Sequence, residues 1–153
     1  MSYVYLKHNN VDKVYELQID KAKIAKIIQS SILDVHNNTY GFCIENPMII
    51  NIIEPNTMQF IIDYINSCDG FEKEAPSCPL KNIDLSYIFD TEYELFKTLL
   101  LNDDTYIIDK VNLLNSYMDA ALYFDLKQLH RKLCALFVYI LRNNDISELK
   151  NIL

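Results

Sequence analysis

Glycine is nearly absent: the chain has two, Gly41 and Gly70. Loops that cradle phosphates need several glycines so that backbone amides can approach the anion, and a nucleophile elbow needs small flanking residues for its strained turn. Nucleotide-binding and elbow-type hydrolase architectures are thereby excluded, and the serine pair Ser30-Ser31 falls in a helix-patterned stretch. Histidine is scarce as well, with His8, His36 and His130 in unrelated contexts, so no zinc-finger or zinc-protease spacing exists. The cysteines Cys43, Cys68, Cys78 and Cys134 form no Cys-x-x-Cys pair, and no signal-peptide pattern precedes them. They read as reduced thiols of a cytoplasmic or nuclear protein. No metal and no cofactor is expected. Long apolar runs are missing too: the longest, Leu133 to Leu141, is nine residues, against the ~20 that a membrane-spanning helix needs. Positive charge is in short supply, with 14 basic against 21 acidic residues and a net charge of -7. Nucleic acid and anionic membranes are therefore not the expected partners, which leaves protein surfaces.

What is present suits one ordinary domain: 153 residues, half of them apolar. Lysine outnumbers arginine 12 to 2 and Ile, Asn and Tyr abound, a bias of AT-rich genomes such as those of some large DNA viruses and parasites. Tyr3 to His8 and Lys13 to Ile19 alternate around Asn9-Asn10, with Val4, Leu6, Val14, Leu17 and Ile19 as the apolar positions. They predict a β-hairpin, imperfect at the step from Val14 to Leu17. Asp20 is placed to cap a helix using Ile24, Ile27, Ile28 and Ile32. Met48 to Ile53 predicts a buried strand stopped by Pro55-Asn56, and Thr57 to Cys68 a helix closed near Gly70. Residues 69 to 83, with Gly70, Pro76 and Pro79, read as a flexible loop. Helices are predicted from Asp90 onward, from about Thr105 to Tyr123, and after Asp125, with a short amphipathic segment at the end.

Residues that invite catalytic readings have plainer ones. His130 and Cys134 lie four apart on one helix face, but two ligands do not make a metal site, and a half-exposed imidazole beside an inert thiol is the ordinary alternative. Asp103-Asp104 would need burial in unlike environments to act as an acid and base, and a capping or solvated role fits better. Eighteen Tyr and Phe residues without a basic groove read as core and interface packing; of these, Tyr87, Phe89, Tyr93 and Phe96 cluster as candidate anchors. The expectation is a non-enzymatic protein.

The order β-β-α-β-α, a polar loop, then consecutive helices is similar to that of BTB/POZ domains. Several stretches resemble the Skp1-like members, the adaptors that link cullins to F-box proteins. Val4 to Leu17 resembles the family's first hairpin and Ala22 to Leu33 its first helix. Glu54-Pro55-Asn56 followed by Phe60 to Cys68 resembles its next strand exit and helix, including a terminal cysteine. The strongest likeness is Ala120-Ala121-Leu122-Tyr123-Phe124-Asp125-Leu126-Lys127-Gln128-Leu129, similar to the family's Ala-Ala-Asn-Tyr-Leu-Asp-Ile-Lys-x-Leu. Cys134 and the tail Asn144 to Lys150 also resemble family positions. Leu122 stands where the family has asparagine, an insertion falls near Leu101 to Asp109, and the family's two further helices have no counterpart before Leu153.

The resemblance implies an α/β BTB/POZ (Skp1-like) fold, a small three-stranded mixed sheet packed against helices and followed by C-terminal helices. It implies a BTB/POZ-like domain over residues 1–123 and a shortened C-terminal helical extension over 124–153. It implies an adaptor of a cullin-RING ubiquitin ligase that bridges a cullin to a substrate receptor or competes for the cullin. Leu122, Tyr123 and Phe124 would touch the cullin; Phe137, Leu149, Ile152 and Leu153 would meet an F-box protein or other receptor, the weaker expectation. A self-associating BTB homodimer and an elongin-C-like module are alternatives of the same kind, and a compact all-helical Bcl-2-like decoy is one of another fold. The predicted hairpin separates that last alternative from the rest.

Overall fold

The computed structural model describes residues 3–33, 44–51, 53–73, 75 and 107–143. The predicted helix after Asp90, the aromatic cluster at 87–96, Asp103-Asp104, most of the 69–83 loop and of the 101–109 insertion, and the tail from 144 lie outside them, as do Cys43 and Cys78.

Strands β1 (Tyr3–Lys7) and β2 (Val14–Gln18) form the predicted hairpin, antiparallel with Val4 opposite Leu17 and Leu6 opposite Tyr15. These four side chains are buried. The alternation is therefore regular: the inward residue of β2 is Tyr15, an aromatic half-buried by nature, and not Val14. The turn is held by Val11 N–H donating to His8 O at 3.2 Å and Asn10 N–H donating to His8 Nδ1 at 3.1 Å. The paired strands exclude the all-helical alternative.

The single helix expected from Asp20 is two. α1 spans Ile19–Ala22 and α2 Lys26–Leu33. Asp20 does not cap: the N-cap position is Gln18, without a side-chain bond, and Asp20 instead ion-pairs with Lys23 at 3.6 Å. The break has a long-range cause. Lys26 N–H donates to Phe124 O at 3.1 Å, in the turn between the last two helices, so the bond that would have run back to Ala22 is spent elsewhere. Ala22 and Ala25, both fully buried, are small enough to let this close approach occur.

β3 (Met48–Ile49) pairs parallel with β1, Leu6 opposite Met48, giving the mixed order β2-β1-β3. The expected six-residue buried strand is thus a two-residue edge strand. Its ladder ends with Ile50 N–H to Lys7 O at 2.9 Å, Ile49 faces outward, and the chain turns into α3 with Ile50 and Ile53 buried. Pro55, read as a stop, is the first residue of α3 (Pro55–Cys68), where its missing N–H costs nothing. α3 buries Met58, Phe60, Ile61, Ile62, Tyr64 and Ile65. It ends with Asp69 at φ 53°, then Gly70 at φ 101°.

α4 (Ile107–Tyr123) and α5 (Lys127–Asn143) complete the described chain and pack against each other. α4 inserts Val111, Leu114, Tyr117, Ala120 and Ala121 at helical spacing; α5 inserts Leu129, Leu133, Leu136 and Ile140. Phe60 of α3 stacks on Tyr117 of α4, ring centroids 3.8 Å apart and 4° from parallel. One apolar core runs from Val4 to Ile140 and continues through Phe124 and Leu126, across the domain boundary expected at residue 123. The result is a mixed α/β fold with a small three-stranded mixed sheet and several helices, as the sequence predicted at that level. Among the described residues no helix is long and apolar enough to cross a membrane.

Candidate interaction surface at the turn between the last two helices

The signature-like stretch Ala120 to Leu129 is a helix, a tight turn and a second helix. Asp125 N–H donates to Leu122 O at 3.1 Å and Leu126 N–H to Ala121 O at 2.8 Å, the paired bonds of a Schellman motif. Asp125 takes the left-handed residue of that motif, φ 55°, a conformation that Asp tolerates better than most side chains. Leu126 and Ala121, at the positions where such a motif places its apolar pair, are both fully buried.

This geometry decides where the expected contact residues point. Leu122 is 61% exposed although Ala121 on one side is fully buried. Tyr123 is half-buried, its ring edge-on to Phe124 with centroids 5.1 Å apart. Phe124 is fully buried. Its ring lies in the core beneath the half-buried Tyr123, so of the three residues expected to touch a cullin it is the one without exposed surface in this structure. Phe137 packs partly buried against the core, while Leu149, Ile152 and Leu153 lie outside the described residues.

Four ties hold the turn and the start of α5 from outside. Besides the Lys26 amide bond to Phe124 O, Lys26 Nζ sits 3.1 Å from Asp125 Oδ2. From the far side, Glu72 Oε2 accepts the Leu129 N–H at 2.9 Å and the Tyr64 hydroxyl at 2.7 Å. Leu129 is the third residue of α5, so Glu72 acts as an N-cap supplied from 57 residues away. Gln128 Oε1 accepts the Ala75 N–H at 2.8 Å. Burial pushes the Tyr64 hydroxyl far above its ordinary range, with Cys68 and the Glu72 carboxylate acting in the same direction.

Beside Leu122 a cavity of about 130 Å³ opens, lined by Leu122, Asp125, Lys127, His130 and Arg131 over Ala121 and Leu126. Lys127 and Arg131 are exposed one turn apart on α5. Sequence reasoning missed this basic pair; its spacing of four on a helix was the available signal. His130 and Cys134 are brought together, Sγ lying 3.9 Å from both ring nitrogens. Among the described residues no group of three or more His, Cys, Asp or Glu is placed to hold a metal.

A larger cavity of about 330 Å³ lies where the hairpin turn meets the start of α3, lined by His8, Asn9, Asn10, Asn51, Ile53, Glu54 and Pro55. Its titratable side chains are His8 and Glu54. His8 is buried and its Nδ1 accepts the Asn10 N–H, so the ring is committed to holding the turn. Asn51 Oδ1 likewise accepts the Asn9 N–H at 3.1 Å. Two of the groups that line this cavity are thus structural: His8 holds the hairpin turn, and Asn51 ties that turn to the segment preceding α3.

Compared with protein-family models and with curated proteins, the chain matches none.

Proposed function

We propose that the chain is a non-enzymatic adaptor of the Skp1-like, BTB/POZ kind, which engages a cullin through the turn between α4 and α5 and either bridges it to a substrate receptor or competes for it. The observation that carries this reading is Leu122. A large apolar side chain is left 61% exposed on a turn whose flanking Ala121 and Phe124 are fully buried. The exposed leucine sits in the one stretch whose sequence most resembles the family, beside the half-buried Tyr123. The hairpin followed by a parallel edge strand and helices is compatible with the same reading. An apolar residue held out by a fixed backbone is suited to become an interface anchor, because little conformational freedom remains to be lost on docking.

The reading is tested by affinity purification of the tagged chain from eukaryotic cells alongside Leu122→Gln and Tyr123→Ala. A cullin recovered with the wild type and depleted with both variants supports it. Absence of any cullin from the wild-type sample refutes it.

A further inference from the structure

The cavity beside Leu122 has a net positive lining on a chain of net negative charge. The chain as a whole carries -7, yet the cavity there is rimmed by two exposed cations, Lys127 and Arg131, with the half-buried His130 between them in sequence. The one carboxylate in its lining, Asp125, is engaged by Lys26 Nζ at 3.1 Å. At about 130 Å³ the cavity has room for one aliphatic side chain, well under the ~300–1,000 Å³ of sites that enclose drug-sized ligands. Leu122 forms one wall and remains 61% exposed.

From these features we infer that the α4–α5 turn receives an acidic amphipathic segment of a partner protein: one apolar side chain enters beside Leu122, and flanking carboxylates reach Lys127 and Arg131. The inference rests on the adaptor reading for the location of the docking site and goes beyond it in fixing the chemistry of what docks. Charge complementarity selects this occupant. A basic segment would meet Lys127 and Arg131 at close range, whereas an acidic one is repelled by the rest of the -7 surface and finds its favourable field here.

The test uses two peptides of about 15 residues, long enough to populate a helix on binding, with the same leucine face and either glutamate or lysine flanks. Binding is read by fluorescence anisotropy against the full chain. The glutamate peptide is expected to bind at least about tenfold more tightly than the lysine peptide, with affinity falling as salt is raised. Leu122→Gln is expected to weaken it about tenfold, and the double variant Lys127→Glu/Arg131→Glu to reverse the preference. All three positions are exposed, so the variants keep the fold, and circular dichroism confirms it. Equal binding of both peptides, or a glutamate peptide indifferent to the double charge reversal, overturns the inference. The same variants are assayed against a purified cullin. Cullin binding lost in Leu122→Gln but untouched by charge reversal and salt refutes the acidic-partner inference while the adaptor reading stands. Binding of the glutamate peptide without any binding of a cullin refutes the adaptor reading and upholds the inference; failure of both probes refutes both.

Discussion

Glu72 is the side chain whose removal tests the architecture most directly, because a single oxygen serves two distant elements. Its Oε2 accepts the hydroxyl of Tyr64, fully buried on α3, and the amide of Leu129 in the first turn of α5. Glu72→Ala removes a helix cap, worth about 1 kcal/mol. It also removes a charge-assisted hydrogen bond to a buried hydroxyl, worth about 1.5–3 kcal/mol. The two share one acceptor and so do not add fully; the expected loss is about 2–3 kcal/mol. Glu72→Gln keeps an acceptor oxygen and forfeits the negative charge at the helix N-terminus, for about 1 kcal/mol.

Urea denaturation followed by far-ultraviolet circular dichroism measures both, against the ~5–15 kcal/mol typical of a whole domain. Tyr64→Phe combined with Glu72→Ala closes a double-mutant cycle. A coupling of about 1 kcal/mol is expected, the part of the loss that belongs to the pair. Hydrogen exchange at the Leu129 amide gives a local readout and should accelerate in Glu72→Ala beyond what the global loss requires. A Glu72→Ala protein within about 0.5 kcal/mol of wild type, the ordinary range for an inconsequential surface change, would show that the 57-residue cap does not hold α5. A Glu72→Gln variant as unstable as Glu72→Ala would show that charge, not the retained acceptor geometry, carries the effect.

Three further outcomes are expected. Asp125→Gly relieves the left-handed conformation at φ 55° but gives up the partly exposed ion pair with Lys26; these offset to within about 1 kcal/mol, whereas the β-branched Asp125→Val should cost about 2 kcal/mol, both read by the same denaturation assay. Gly70→Ala should lose about 1–2 kcal/mol through its φ of 101° and not through crowding, since an added Cβ would meet Asp20 O at an ordinary 3.6 Å; Gly70→Asn, tolerant of positive φ, should lose less. At alkaline pH stability should decline: burial holds the Tyr117 hydroxyl protonated up to about 12 against an ordinary 10.0, so the unfolded chain releases its proton first and stability present below pH 10 is lost as pH rises through the folded value. Tyrosinate absorbance should rise with unfolding, and Tyr117→Phe should lessen the decline between those two values, leaving the part that the raised Tyr64 hydroxyl contributes.

How far the sequence could be read depends on the range of the interactions that set each element. The hairpin was legible because alternation is local. Its apparent irregularity came from counting Val14 and not Tyr15 among the inward residues, and the cross-strand pairing of Leu6 with Tyr15 removes it. The helices α3, α4 and α5 were legible for the same reason, as helical spacing of apolar residues is a local pattern. The break between α1 and α2 was not, because its cause is a carbonyl about a hundred residues away at Phe124. Nor was the cap on α5, since nothing near Lys127 in sequence announces that Glu72 will supply it. In the candidate site the resemblance pointed to Ala120–Leu129 as a stretch, but could not tell which way each side chain would face. The left-handed turn at Asp125 sends Phe124 inward and leaves Leu122 out, and that depends on a backbone conformation that spacing alone does not reveal.

Those same long-range bonds bear on what the turn can do. A Schellman turn joined only to its own two helices could pivot with either of them. Here the Lys26 amide and ammonium fix it to α2, while Glu72 and Gln128 tie the start of α5 to the segment that leaves α3. Leu122 is therefore carried on backbone anchored to two other parts of the fold, and its position relative to Lys127 and Arg131 is set before any partner arrives. A partner docking as proposed would avoid much of the ordering cost that a mobile loop would incur, about 0.5–1.5 kcal/mol for each side chain immobilised. It follows that loosening either tie should weaken partner binding without touching a contact residue. Lys26→Met, which cuts the ion pair and keeps the amide bond, should reduce affinity for the glutamate-flanked peptide about two- to threefold, within the range of one surface ion pair. Glu72→Ala, which frees the start of α5, should reduce it more. If both variants bind that peptide as the wild type does, the turn needs no outside support, and its ties serve stability alone.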